Sequence, residues 1–417
     1  MDAPYEKLKK LYAIYGNNQF LLDIFPNMNF YKKNIRNKSL NKNSKTRQVS
    51  LYHSTSTTLN NPLTLIPDYY DPSFDLSDKT FNLNTTAHGS FATVYLKYYN
   101  FKNKKVKSNI VLKEIYDPEG VEYQASIFHY LLYFYYQINA PEQLQYLCNL
   151  YEIGSISGTN LIYGIMEHCG DELMKIDDYL NSPKNPTRLS KLLLITTIFD
   201  KCLLSLKLIH DIGYSHRDIK PENFLIKFIG NEIQVKIIDF GFVIKSGSKI
   251  TDLKGTGMYF PNDYLINCFN RESTIFEKHH DIFSLGCVFI ELLFSLFNLY
   301  NPKIPKLYIA CPITYSNPDA NYKKGAKSKN PRYSIYPSLE NTFIARENYN
   351  LETHLQNLSY ISYLMDTIFR DIENIKIISK LIYNMLYGMV NPNPLLRYKS
   401  IDEILPYIKS LYIVFFN

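Results

Sequence analysis

Two short strings constrain this chain more than any other feature: His216-Arg217-Asp218-Ile219-Lys220-Pro221-Glu222-Asn223 and, shortly after, Asp239-Phe240-Gly241. Asp218 can orient a hydroxyl and accept its proton, and Lys220 can neutralise a phosphoryl group in transit. Asn223 and Asp239 can hold magnesium. Chance does not supply both strings at this separation. Short strand signals at Phe224–Lys227 and Val235–Ile238 accompany them.

A chain of 417 residues exceeds the usual limit of one hydrophobic core, so two lobes with appendages are expected. With 46% hydrophobic and 20% charged residues, the composition suits a soluble globular protein. The net charge of +7 favours acidic partners weakly and gives no indication of nucleic-acid binding. Cysteines 148, 169, 202, 268, 287 and 311 are scattered without metal-ligand spacing, as expected for reduced, mostly buried thiols. The start, MDAPYEKLKK, has no apolar signal core, and no uncharged apolar run is long enough to span a membrane. The expected location is intracellular: the cytoplasm, with the nucleus as the alternative.

Residues 1–79 read as an irregular extension. Lys32, Lys33, Arg36, Lys38, Lys42, Lys45 and Arg47 form a basic stretch without an acid. It reads as a solvated tail, with nuclear import or binding of an acidic partner as the other use. Short β signals follow at Phe81–Thr85, Ala92–Tyr99, Asn109–Tyr116, Leu150–Ser155 and Leu161–Glu167, with one helix over Val121–Gln137. Beyond Leu173 the pattern turns helical. Ser190 is the expected N-cap of a helix over Lys191–His210, and another helix covers His280–Phe297. Residues 298–350, rich in proline and lysine, read as an exposed insertion. Helical periodicity returns over Leu351–Val390, and a last helix follows Arg397.

On the His216–Asn223 and Asp239–Gly241 strings, the chain resembles the eukaryotic-type serine/threonine protein kinase family. The resemblance implies an α+β, bilobal fold: a five-stranded, β-rich N-lobe with one helix (80–168), and a mainly helical C-lobe (169–417). The cofactors it implies are ATP and Mg²⁺, and the partner is a protein substrate with a serine or threonine acceptor. Catalytic roles fall on Asp218, Lys220, Asn223 and Lys113, and the metal ligands would be Asn223 and Asp239. Ala87, His88, Gly89, Ser90, Phe91, Ala92 and Val94 occupy the phosphate loop, where only the middle glycine of the family pattern survives. Lys113, within Ile110–Ile115, would meet the ATP phosphates. The carbonyl of Glu167 and the amide of Cys169 would pair with adenine behind Met166, and Glu172 would reach the ribose.

The helix after Lys113 should offer it an acid. Ile127, Phe128 and Leu131 have the expected spacing from Gln124, whereas Glu122 lies two residues earlier, so either residue is a candidate. Arg217 calls for an anionic partner, and Ser246, Ser248 and Thr251 are candidate phosphorylation sites near it. Thr256 would bond Asp218 and Lys220, Asp263 would pair with Arg397, and Asp281 would brace the catalytic loop. The leading expectation is an ATP-dependent serine/threonine kinase. The alternative is a kinase-shaped binding module, which Ala87 and the open helix position favour. A kinase for lipids or small molecules would need neither the Gly255-Thr256 segment nor the Asp281 helix, and ranks third.

Overall fold

The computed structural model describes residues 19–24, 82–88, 92–101, 104–117, 120–155, 161–182, 187–230, 232–304 and 349–416. The basic stretch, Gly89–Phe91 of the phosphate loop, and most of the 298–350 insertion lie outside them. The described residues form two compact units. One holds those up to Cys169 together with Asp239–Gly241, and the other holds Gly170–Ile238 and the residues from Phe242 onward.

In the first unit a short helix α1 (Gln19–Ile24) precedes β1 (Asn82–His88), β2 (Ala92–Phe101) and β3 (Lys104–Tyr116). Helix α2 (Val121–Asn139) follows, then β4 (Leu150–Ser155) and β5 (Leu161–Glu167). The strands form one antiparallel sheet in the order β1-β2-β3-β5-β4. Alternation places Lys113 on the same face of β3 as Val111 and the buried Ile115. Two local features set where α2 begins. Gly120 takes the left-handed conformation at φ 74°, and the Tyr123 amide donates to the Asp117 carboxylate at 2.8 Å. Ile127, Phe128, Leu131 and Phe134 are buried, as periodicity required.

The second unit opens with β6 (Asp171–Glu172), α3 (Ile176–Leu180) and α4 (Arg188–Asp211). The expected cap of α4 is corrected by one helical turn. Thr187 is the N-cap, its side chain accepting from the Ser190 amide at 3.0 Å, and Ser190 completes the box from the third helical position. Then come β7 (Tyr214–Ser215), β8 (Phe224–Ile229), β9 (Glu232–Ile237), β10 (Ile244–Lys245) and β11 (Ser248–Ile250). Helix α5 (Asn262–Phe269), β12 (Thr274–Phe276) and α6 (Lys278–Tyr300) follow. The stretch read as continuously helical over 351–390 is two helices, α7 (Leu351–Ile368) and α8 (Ile375–Met389), and α9 (Leu405–Phe416) ends the chain.

Helix α6 is the spine of this unit. Among the described residues it alone has the length and hydropathy to cross a membrane, yet 89% of its apolar window is buried within the protein. Its Phe289 stacks on Phe199 of α4 with centroids 4.0 Å apart. Each such side chain contributes about 1.5–3 kcal/mol through burial. The segment read as an exposed insertion has buried residues at its described ends. Ile304 is 5% and Tyr349 4% exposed, and the Tyr349 hydroxyl donates to the Val390 carbonyl at 3.0 Å.

Candidate active site

In the second unit the expected catalytic residues converge on one carboxylate. Asp218 is 4% exposed. Its Oδ1 accepts from the Thr256 hydroxyl at 2.7 Å, and its Oδ2 accepts from the Asn223 amide nitrogen at 3.1 Å. Lys220 Nζ lies 2.7 Å from Oδ2 and donates to Thr256 Oγ1 at 3.0 Å. A buried carboxylate is costly without such donors. With them it is a fixed proton acceptor beside a fixed cation. The Asn223 nitrogen also donates to the Asp218 carbonyl at 2.7 Å, which reserves the amide oxygen as the atom to offer a metal.

The loop carrying Asp218 is held from behind by Asp281, which is fully buried in α6. Its Oδ2 accepts from the His216 amide at 2.7 Å and its Oδ1 from the Arg217 amide at 2.9 Å. These bonds hold Arg217 at φ 66°, a left-handed conformation costly for a side chain with a Cβ. Burial works to raise the Asp281 carboxyl, but hydrogen bonding from His210 at 3.0 Å and the charges around it keep it below its ordinary value. His216 bonds the backbone through both ring nitrogens. The Asp218 amide donates to its Nδ1 at 3.3 Å and its Nε2 meets the Ile238 carbonyl at 3.1 Å, so the ring hydrogen sits on Nε2. Gly255 permits the close passage of the next segment. At φ 108° it lies against the Arg217 carbonyl, and a Cβ there would also stand 2.9 Å from the Phe260 ring.

Asp263 pairs with Arg397 as expected, Oδ1 to Nη2 at 2.7 Å. Asp263, His279 and His280 bring ligand-type atoms within 4.8 Å of one another. The guanidinium already meets the carboxylate charge there. Burial opposes it, yet bonds from His279 and His280 and the Arg397 charge hold the Asp263 carboxyl well below the usual range.

The first unit gathers a second charged group. Glu122 is half-buried while Gln124 is exposed, which decides between the two helix candidates. Burial first, then the charge of Asp239, raises the Glu122 carboxyl, and Lys113 acts to lower it. A Cβ on Gly241 would lie 3.0 Å from Glu122 Oε1 and 3.5 Å from Asp239 Oδ1, so both carboxylates approach that glycine. Asp239, like Arg217, is held at φ 66°. Of the two candidates left open by the sequence it is Glu122 that the helix start, set by Gly120 and Asp117, brings to Lys113 and Asp239. Oxygen donors with an excess of negative charge over one lysine suit a hard divalent cation, so within this unit Asp239 has the chemistry that magnesium requires.

Elsewhere in this unit Val94 pairs in register with Lys113 and with Ala87, and His88 and Ala92 end the strands that flank the phosphate loop. The Glu167 amide donates to the Asn149 carbonyl at 2.9 Å at the end of β5. Its own carbonyl receives thiol contacts at 3.6 Å from Cys148 and from the buried Cys169.

His129 was not singled out by the sequence, although it lies seven residues after Glu122 on the same side of α2. Its ring sits 4.6 Å from that of Phe240, and Nε2 lies 2.6 Å from the Cys148 carbonyl. Burial lowers its pKa from 6.5 to about 4. Between these values the unfolded chain binds a proton that the folded one does not, so stability is complete near pH 7 and falls with acidification. The full depression corresponds to about 3 kcal/mol. His354 in the second unit, also lowered to about 4, acts with the same sign. Urea unfolding is therefore expected to show stability falling from pH 7 to pH 5, with a shallower slope in His129→Gln. An equal slope in the variant would contradict this assignment.

A family model for the protein kinase domain matches residues 87–404. A probable serine/threonine-protein kinase of Dictyostelium discoideum, fhkD, is 36% identical over 104 residues, covering 23% of this chain and 14% of that protein. A second probable serine/threonine-protein kinase of that organism is 30% identical over 179 residues, 41% of this chain and 33% of the relative. Calcium-dependent protein kinase 5 of Oryza sativa subsp. japonica is 27% identical over 217 residues, 49% of this chain and 34% of the relative. The matched stretches thus span at most about a third of these relatives' lengths. The family match covers well over half of the chain and includes both charged groups, and the chain belongs to the eukaryotic-type protein kinase family.

Proposed function

We propose that the protein transfers the γ-phosphoryl group of ATP to serine or threonine hydroxyls of other proteins. The observation that carries this reading is the clamp on Asp218, where a carboxylate is buried among Thr256, Asn223 and Lys220 within 3.1 Å. Such a carboxylate can align an acceptor hydroxyl with no reorganisation of its own. The acceptor oxygen bonds to the γ-phosphorus as the bond to the bridging oxygen breaks, ADP departs with that electron pair, and the acceptor proton passes to Asp218. Lys220 meets the charge of the group in transit. Lys113 binds the phosphates of the nucleotide, and the Glu167 carbonyl and Cys169 amide hold its base. Asp239 and Asn223 would hold magnesium, which supplies charge neutralisation on the phosphate oxygens.

Serine or threonine as acceptor is supported by Lys220 and by the Thr256–Asp218 bond, traits that the resemblance assigns to that branch. The same bond and the Asp281 brace speak against a small-molecule acceptor. Of the two features that favoured a binding module, the open helix position is filled by Glu122, and only Ala87 is left. Asp239→Ala is expected to abolish magnesium-dependent turnover while the circular dichroism spectrum stays near that of the wild type. Turnover unchanged by this substitution would refute the role given to Asp239.

A further inference from the structure

We propose that Asp252 is a positioning residue that supplies Arg217 with its anion, so that the catalytic loop is set without phosphorylation of residues 242–256. The inference rests on the phosphotransferase reading above and concerns how that site is regulated. The Arg217 side chain is 4% exposed, and a guanidinium so buried requires a counter-charge. Asp252 is the only acid between Phe242 and Lys254, and Arg217 Nη2 reaches its Oδ1 and its carbonyl, each at 3.2 Å. Lys254 Nζ lies 3.3 Å from the other carboxylate oxygen. One carboxylate therefore links the residue before Asp218 to the segment that carries Thr256.

The segment is held by more than charge. Strand β11 pairs with β12, and Ile250 packs in an apolar cluster with Phe260, Tyr264 and Phe276. The Tyr264 hydroxyl accepts from the Lys254 amide at 3.1 Å and donates to the Asp252 carbonyl at 3.1 Å. Arg217 also donates to that hydroxyl at 3.2 Å. A phosphate would bring more charge, about −1.5 to −2. The geometry leaves it no task, because the guanidinium already faces an acid fixed by its own backbone. Although partial burial works to raise it, the charge of Arg217 and bonds from Lys254 and Arg217 hold the Asp252 carboxyl below its ordinary value. It is therefore ionised throughout the neutral range.

The test compares phosphatase-treated wild type, the triple variant Ser246→Ala/Ser248→Ala/Thr251→Ala, Asp252→Asn and Asp252→Glu. Treated wild type and the triple variant are expected to transfer phosphate at the untreated rate. In Asp252→Asn, kcat is expected to fall about tenfold or more with little change in the KM for ATP, and Asp252→Glu should recover most of the loss. Amide exchange over residues 250–256 should quicken in Asp252→Asn and not in the triple variant. A rate that falls on phosphatase treatment overturns the proposal, as does a fully active Asp252→Asn enzyme. If the wild type transfers no phosphate, the functional reading fails by itself. Exchange then decides this proposal alone, and unchanged exchange in Asp252→Asn overturns it.

Discussion

Asp218→Asn is expected to lose phosphoryl transfer by roughly 10²- to 10⁴-fold, the range for removal of a positioned general base. The substitution keeps the shape of the side chain, although of the two donors Thr256 and Asn223, which bond different oxygens, only one keeps an oxygen to bond and the other faces the amide nitrogen. It removes the charge that Lys220 faces at 2.7 Å and the only group in the clamp able to take the acceptor's proton. The two effects separate kinetically. If Lys113 and the end of β5 hold ATP as proposed, its binding should change little, since both lie in the other unit, whereas kcat should collapse. A variant that keeps wild-type kcat would show that Asp218 has no part in the chemistry, whatever its burial.

Asp281→Ala should produce the largest loss of stability. The fully buried carboxylate accepts from two backbone amides and meets the His210 ring. Its removal deprives those buried donors of their acceptor, at a cost of about 3–5 kcal/mol. It also releases the Arg217 backbone from its φ of 66°, so the loop holding Asp218 relaxes. Activity at low temperature should therefore fall further than the folded fraction does. Asp281→Asn, which keeps one carbonyl acceptor, should be intermediate. Chemical denaturation with parallel rate measurements checks both points, and a stable, fully active Asp281→Ala protein would contradict the bracing role.

Much of this site was legible in the sequence because its members are close neighbours along the chain. Asp218, Lys220 and Asn223 lie within one turn of irregular backbone, and Thr256 follows a glycine that its surroundings demand. Strands β4 and β5 have the expected bounds, since turn residues punctuate them. What could not be read depended on where helices start and on distant partners. The position of Glu122 follows from Gly120 and Asp117, which set the phase of α2, whereas the apolar spacing of Ile127, Phe128 and Leu131 pointed to Gln124. Thr187 and Ser190 are both good capping residues, and only their reciprocal bonds show which one caps. The meeting of His210 with Asp281, or of Tyr264 with Asp252 and Arg217, has no local signature. Asp252 did leave a trace, as the lone acid among the lysines after Phe242, but nothing in the string tied it to Arg217.

The most direct measurement incubates the purified chain with γ-labelled ATP, magnesium and a protein substrate, and then identifies the labelled amino acid. The account predicts phosphoserine or phosphothreonine, dependent on the metal and lost in Asp218→Asn. Label that never leaves ATP, from a protein shown to be folded, would contradict it.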